Sequence, residues 1–353
     1  MKILIVGAWT TTIYEEPLAK GFENLGHTVY KFKWSIYFRN KFFKHCIDKK
    51  LSKLESFYYK IQNKYLVGPI IRQINVDLFE KCKDVKPDIV FLYRATHIRA
   101  ETIKKIKRFT SANLISFHND DPFGLFNRQA SRNYIKSLSF MDWNYVYRKK
   151  NISDVKKYNP RCSVLLPYPN TDFIFPIENQ VKKYDVIFIG HYENSGRDEL
   201  ICDLIAEKSI NFMLFGTGWQ KSPMYDYIRE QLGDIKPIYD GDYNSTLNET
   251  KIALCFFSSL NNDRYTRRTF EIPAAGTLIL SQYSNESAAL LIPNEVAAYF
   301  RSKDELIEEI IFYLSHDIDR ERVAKNGYKK VIFGGHTYMD RALQVTTLVE
   351  KNS

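Results

Sequence analysis

Short apolar runs alternate with segments of helical period along almost the whole chain, a pattern that predicts a layered α/β architecture. Lys2–Val6 is one such run and ends at Gly7. Glu15–Leu25 follows at helical spacing, closed by Gly26, and Thr28–Phe32 is apolar again. Strand, glycine turn, helix and strand in that order predict the opening of a doubly wound domain. A helix around Val67–Val85 leads to a buried strand over Ile89–Tyr93, entered through Pro87, and Glu101–Phe109 and Asn113–Phe117 repeat the alternation. Beyond them the spacing predicts a helix over Leu125–Ser139, a strand over Trp143–Tyr147, another helix, and an apolar run ending at Pro167.

Residues 171–183 are polar and marked by proline, which predicts a linker between a first domain over 1–170 and a second over 184–335. The second domain restarts with a strand ending at Gly190 and a helix over Asp198–Lys208. Further strands are expected at Asn211–Phe215, Ile238–Asp242 and Ile252–Phe257, with an apolar strand after Gly276. Helices are expected at Lys303–His316 and Asp319–Ile332, and a last one, Tyr338–Lys351, occupies the terminal segment 336–353.

Composition narrows the class. A chain of 353 residues that is 44% hydrophobic has material for two cores, and only 12 Pro and 15 Gly argue against a disordered or fibrous protein. Its five cysteines are scattered and never spaced C-x-x-C, so reduced thiols are expected, with no zinc site and no disulfide framework. No run reaches the roughly 18 apolar residues of a membrane span, so a soluble, cytoplasmic protein is expected. The net charge of +10 is uneven: residues 1–150 hold 28 Lys and Arg against 13 Asp and Glu. Within 31–64, ten basic residues interleave with aromatics such as Trp34, Phe42, Phe57 and Tyr58. That mixture suits an anionic membrane surface; it also suits nucleic acid, or aromatics in a core with lysines in water.

Candidate chemistry sits where strands end, the place where open α/β sheets bind ligands. In the first domain Gly7 ends one strand, Arg94 and His97 follow another, and His118, Asp120 and Asp121 follow a third. An imidazole and two adjacent carboxylates are candidates for a general base, while one Asp before Pro122 would serve equally to cap the next helix. In the second domain Gly190 and Arg197 frame a helix start suited to phosphate, with loop punctuation alone as the equal alternative. Gly216, Gly218 and Trp219 suit a flat base, with Trp219 in the core as the alternative. Arg264, Arg267, Arg268 and Glu271 precede Gly276. Guanidinium groups there would hold a diphosphate, and the carboxylate would hold ribose hydroxyls; a surface helix carrying ordinary charges is the alternative from these residues alone. No G-x-G-x-x-G occurs, so a dinucleotide fingerprint is not supported.

The ordered series Arg267–Leu280, Tyr299–Leu306, Asn326-Gly327-Tyr328 and His336–Arg341 resembles the CgeB-like glycosyltransferases, as do Gly190, Phe215–Trp219 and Asp120–Pro122. The resemblance covers about residues 185–345. It implies the GT-B architecture, two Rossmann-like domains facing across a cleft, with the C-terminal helix crossing back to the first. It also implies transfer of a sugar from a nucleoside diphosphate to a surface polysaccharide, glycolipid or related acceptor. Glu271 then matches the ribose-binding carboxylate, and Arg267 or Arg268, with Arg264 as alternate, the phosphate-binding group. Asp263 stands eight residues before Glu271, where retaining relatives carry a longer carboxylate, and stereochemistry is left open. Arginines and helix N-termini would stabilise the leaving diphosphate without a metal or other cofactor. The expected partners are a nucleotide sugar, a glycan or lipid-linked acceptor and an anionic membrane surface met through 31–64 at the inner face of the cell membrane, and not nucleic acid. A non-catalytic protein with the same cleft is the competing expectation.

Overall fold

The computed structural model describes residues 1–38, 52–125 and 127–352. Arg39, Lys41, Phe42, Phe43, Lys44, Lys49 and Lys50, part of the basic aromatic stretch, lie outside the described residues. By its contacts the chain divides into one unit of Met1–Leu166 with Tyr338–Ser353 and a second of Pro167–Thr337.

The first unit runs β1 (Lys2–Gly7), α1 (Glu15–Asn24), β2 (Thr28–Lys33), α2 (Lys53–Tyr65), α3 (Pro69–Val85), β3 (Ile89–Tyr93), α4 (Ala100–Phe109), β4 (Asn113–His118), α5 (Arg132–Ser137), β5 (Trp143–Val146), α6 (Lys150–Lys156) and β6 (Cys162–Val164). All its pairings are parallel, in the order β2-β1-β3-β4-β5-β6. The middle strands carry continuous apolar runs because helices cover both faces of a parallel sheet; Ile3 to Val6 and Ile89 to Phe91 are fully buried.

The second unit runs β7 (Tyr184–Ile189), α7 (Arg197–Ala206), β8 (Phe212–Phe215), α8 (Tyr225–Leu232), α9 (Asp240–Asn248), β9 (Thr250–Cys255), α10 (Arg268–Ala274), β10 (Leu278–Gln282), α11 (Asn285–Leu290), β11 (Ala298–Phe300), α12 (Lys303–Ser315) and α13 (Asp317–Phe333). Its five parallel strands lie in the order β11-β10-β9-β7-β8, so the winding reverses between β7 and β9. The stretch before β7 packs on this unit: the Phe175 and Ile177 amides donate to the Asn244 and Asn248 side chains, at 3.1 and 2.7 Å.

The final helix, α14 (Tyr338–Asn352), belongs to the first unit, where it lies against α1. Gly21 permits the approach, since a Cβ there would stand 2.9 Å from the Tyr338 carbonyl. Gln344 and Arg341 reach the carbonyls of Val164 and Leu166, each at 3.0 Å.

Two predicted elements differ. The helix expected over Leu125–Ser139 reduces to α5, because Gly124 and Asn127 make separate turns and Leu125 is 93% exposed. The strand expected over Ile238–Asp242 is instead the entry to α9. Asp240 and Asp242 there sit in the first helical turn, where the helix dipole favours carboxylates.

Candidate functional site

At the C-terminal ends of β7 and β8 the chain is held in backbone contact. Gly216 has φ +149, and a Cβ on it would fall 1.8 Å from the Gly190 carbonyl. The same carbonyl accepts the Trp219 indole N–H at 2.9 Å, and the Gly190 amide donates to Phe215 at 2.9 Å. Gly218, at φ +77, turns the chain into Trp219, whose ring is fully buried. Trp219 therefore pins two loops and presents no face to a base.

Arg197 opens α7 but points into the protein. Its guanidinium is paired with Glu193 at 2.8 Å, and the two side chains are 5% and 2% exposed. It also donates to Ser195 Oγ at 3.0 Å and to the carbonyls of His191 and Phe257 at 3.2 and 3.1 Å. The other Glu193 oxygen accepts from Ser258, Ser259 and the Leu260 amide, at 3.0, 3.1 and 2.8 Å. Burial alone would raise the Glu193 pKa, but the Leu260 amide, Arg197 and the serines hold it below the usual carboxylate value. The pair thus ties the loop after β7 to the loop after β9. Sequence reasoning missed Glu193; its spacing of four from Arg197 was the available signal.

The second loop carries Asp263 and Arg264 into α10. Both line a cavity of about 390 Å³ at the ends of β9, β10 and β11, together with Arg197, Ser258, Gln282 and Tyr283. Asp263 is half-buried, its amide bonded to the Ser258 carbonyl at 2.9 Å, and Arg264 is exposed. Next, Arg267 at the helix N-cap forms an ion pair with Glu271 one turn on. Glu271 is 2% exposed and accepts the Tyr243 hydroxyl of α9 at 3.1 Å. Burial, then the neighbouring carboxylate, push the Tyr243 pKa well above its usual value, so it stays a donor. Tyr243 was not foreseen; it lies in a polar segment without periodicity. Gly276 closes the turn after α10 at φ +74.

Arg268 lies over the Phe188 ring at 5.8 Å. The His191 pKa is lowered by burial first and then by Arg268 and Arg197. Arg268 and His191 therefore share one neighbourhood beside the reversal between β7 and β9, where the Arg197 charge is balanced by Glu193.

In the first unit the position after β1 is already filled. Glu15, 3% exposed, turns its carboxylate back onto the Ala8 and Trp9 amides, at 2.9 and 3.1 Å. Burial raises its pKa against those amides. A Cβ on Gly7 would meet that carboxylate at 2.5 Å, so the glycine makes room for Glu15. This carboxylate too was missed, because its partners are backbone groups.

Arg94, in the left-handed region at φ +43, pairs with Asp120 at 2.7 Å. Their side chains are 49% and 23% exposed. His97 is buried, stacked on Trp34 at 3.8 Å and bonded to Asn63 at 2.8 Å. Burial, then Arg94, lower its pKa to about 3. His118 is buried as well, lowered to about 4 by the same two causes. His118 Nδ1 lies 3.2 Å from both the amide and the carbonyl of Asp120, and its Nε2 lies 3.3 Å from the Ser131 hydroxyl. Asp121 is fully buried, bound by Lys150 at 2.6 Å and by Asn151 at 2.8 Å, and accepts the Phe123 amide in a turn rather than at a helix start. Of the three groups after β4, only Asp120 keeps an accessible acidic oxygen.

Residues 197–347 match the family described as Glycosyl transferase-like, a stretch that contains Arg197, Asp263 and the Arg264–Glu271 segment. A sequence comparison with curated proteins finds no match. Among solved structures, sucrose-phosphate synthase from Thermosynechococcus elongatus superposes with a TM-score of 0.72 at 11% identity, over 99% of this chain and 98% of that one. A glycosyltransferase from Rickettsia africae gives 0.67 at 15% identity, over 100% and 99%. HepE of Anabaena, in complex with UDP and glucose, gives 0.64 at 10% identity, over 99% and 100%. The chain is an α/β protein of two parallel-sheet, Rossmann-like units with the GT-B fold, and residues 197–347 are similar to the glycosyl transferase-like family.

Proposed function

We propose that this protein is a CgeB-like glycosyltransferase that moves a sugar from a nucleoside diphosphate to a glycan or lipid-linked acceptor at the cytoplasmic face of a membrane. The observation that carries the reading is the Arg267–Glu271–Tyr243 cluster beside Arg268, at the reversal point of the second sheet. The glycosyl transferase-like match over the same residues supports it.

In this reading Glu271 receives the ribose hydroxyls, and Arg267 turns from the carboxylate to the diphosphate as the nucleotide enters. Arg268 and Arg264 complete the anion site, so that charge building on the leaving diphosphate meets fixed cations and no metal is needed. The acceptor oxygen bonds to the anomeric carbon while the bond from that carbon to the diphosphate oxygen breaks. Asp120, paired with Arg94 in the first unit, is the group that takes the acceptor proton. Arg197 acts on the donor through the loops it holds.

The test is nucleoside-diphosphate affinity by calorimetry alongside sugar transfer. Glu271→Ala should weaken nucleotide binding at least tenfold, and unchanged affinity refutes the ribose assignment. Nucleotide binding without turnover on any sugar donor would replace the enzyme with the binding protein.

A further inference from the structure

Helix α2 carries its polarity the wrong way round for a surface helix. Its inward side holds amides: Gln62, 4% exposed, accepts the Ile70 amide at 2.9 Å, and Asn63 meets His97 at 2.8 Å. Tyr59 adds packing against the first unit's core. The outward side is apolar, with Leu54 80%, Phe57 62%, Tyr58 48%, Ile61 37% and Tyr65 47% exposed. At about 100° per residue these five fall within an arc of about 100°. Lys53, Lys60 and Lys64, all exposed, lie along one edge of that arc. A globular helix ordinarily turns such an arc to the core; here buried hydrogen bonds fix it facing out.

The geometry points to a membrane-docking face: α2 lies in the headgroup layer of an anionic bilayer, with Leu54, Phe57 and Ile61 reaching the acyl boundary. Charge complementarity selects this occupant. The lysines border the apolar arc where their ammonium groups extend to lipid phosphates, and residues 1–150 carry 28 basic against 13 acidic side chains. Tyr58 and Tyr65 fit the interfacial level that aromatic rings with a polar tip prefer. A second copy is a poorer occupant, because it would bring two strongly basic surfaces together. Because Gln62 and Asn63 already anchor the helix, docking requires no rearrangement of the unit. This adds a surface to the proposed reaction and does not depend on it.

The test is co-sedimentation of the full chain with phosphatidylcholine vesicles, with and without phosphatidylglycerol. The protein should bind the anionic vesicles and leave the neutral ones. The triple variants Leu54→Ser/Phe57→Ser/Ile61→Ser and Lys53→Gln/Lys60→Gln/Lys64→Gln should each lower the partition coefficient at least tenfold, on the basis of roughly fivefold per surface lysine. Both should keep the parent Tm and nucleoside-diphosphate affinity, since the exchanged side chains are exposed. Failure to bind anionic vesicles, or equal binding by the variants, overturns the proposal. A dimer in analytical ultracentrifugation that the apolar triple variant abolishes would overturn it too, assigning the face to a second copy.

Discussion

Replacing Glu193 by Ala tests whether Arg197 is a fastening of the second unit or a free phosphate ligand. The carboxylate is 2% exposed and the guanidinium 5%, so the variant strands a charge in a site that water does not reach. Removing one partner of a buried pair costs about 3–5 kcal/mol. For a unit of about 170 residues, each kcal/mol lowers Tm by about 2–4 °C, so a fall of about 6–20 °C is expected in calorimetry. The Glu193→Ala/Arg197→Ala double variant, which strands no charge, should be more stable than the sum of the single losses by about 1–3 kcal/mol. The pH dependence has a fixed sign. The folded-state pKa of Glu193 lies below its ordinary value of 4.5, so the gap between parent and variant is full above that pH and narrows as pH falls through the lowered value. A loss under about 1 kcal/mol, or strict additivity in the double variant, refutes the fastening role.

Asp120→Asn should cut transfer by about 10²–10⁴-fold with little change in Tm, its pair with Arg94 being partly exposed, while Asp121→Asn should lower stability by about 1–3 kcal/mol and leave turnover near the parent value. Turnover equal to the parent in both removes the pair from the chemistry. His97 and His118 are buried neutral, with pKa values near 3 and 4, so the unfolded chain takes up protons first as pH falls below 6.5. At pH 5 this should cost about 2 kcal/mol per histidine relative to neutral pH, seen as a falling urea midpoint that replacing His97 or His118 by Gln flattens. Gly216→Ala should destabilise the second unit by more than about 2 kcal/mol and abolish nucleotide binding, because the new methyl overlaps the Gly190 carbonyl; a parent-like Tm would show that the loops separate freely.

The strands were legible wherever both faces of the sheet are covered, because runs such as Ile3–Val6 in β1, Ile89–Tyr93 in β3, Val186–Ile189 in β7 and Ile252–Cys255 in β9 are then continuously apolar. The edge strand β11, only Ala298–Phe300, and the polar helix α9, with Asp, Gly, Asn and Ser in nine residues, carry no such signal. In the candidate site the Arg264–Glu271 segment stood out because its charges are adjacent in sequence. Tyr243 did not, its partner Glu271 lying 28 residues away, and Glu193, though only four residues from Arg197, has its other partners 65 to 67 residues away. His97, His118 and Trp219 illustrate the converse. A polar or aromatic side chain at a strand end reads as chemistry until its burial is known, and each of these spends its hydrogen-bonding group inside the unit.

The place of α14 bears on how the protein is made. The first unit is assembled from the two ends of the chain, whereas the second is one continuous stretch. During synthesis α1 waits, its Gly21 surface uncovered, until the ribosome has released everything between it and Tyr338. The second unit can finish folding while the chain is still being made, but the first is completed only once α14 has emerged, by the closing of a helix that has no earlier opportunity to arrive.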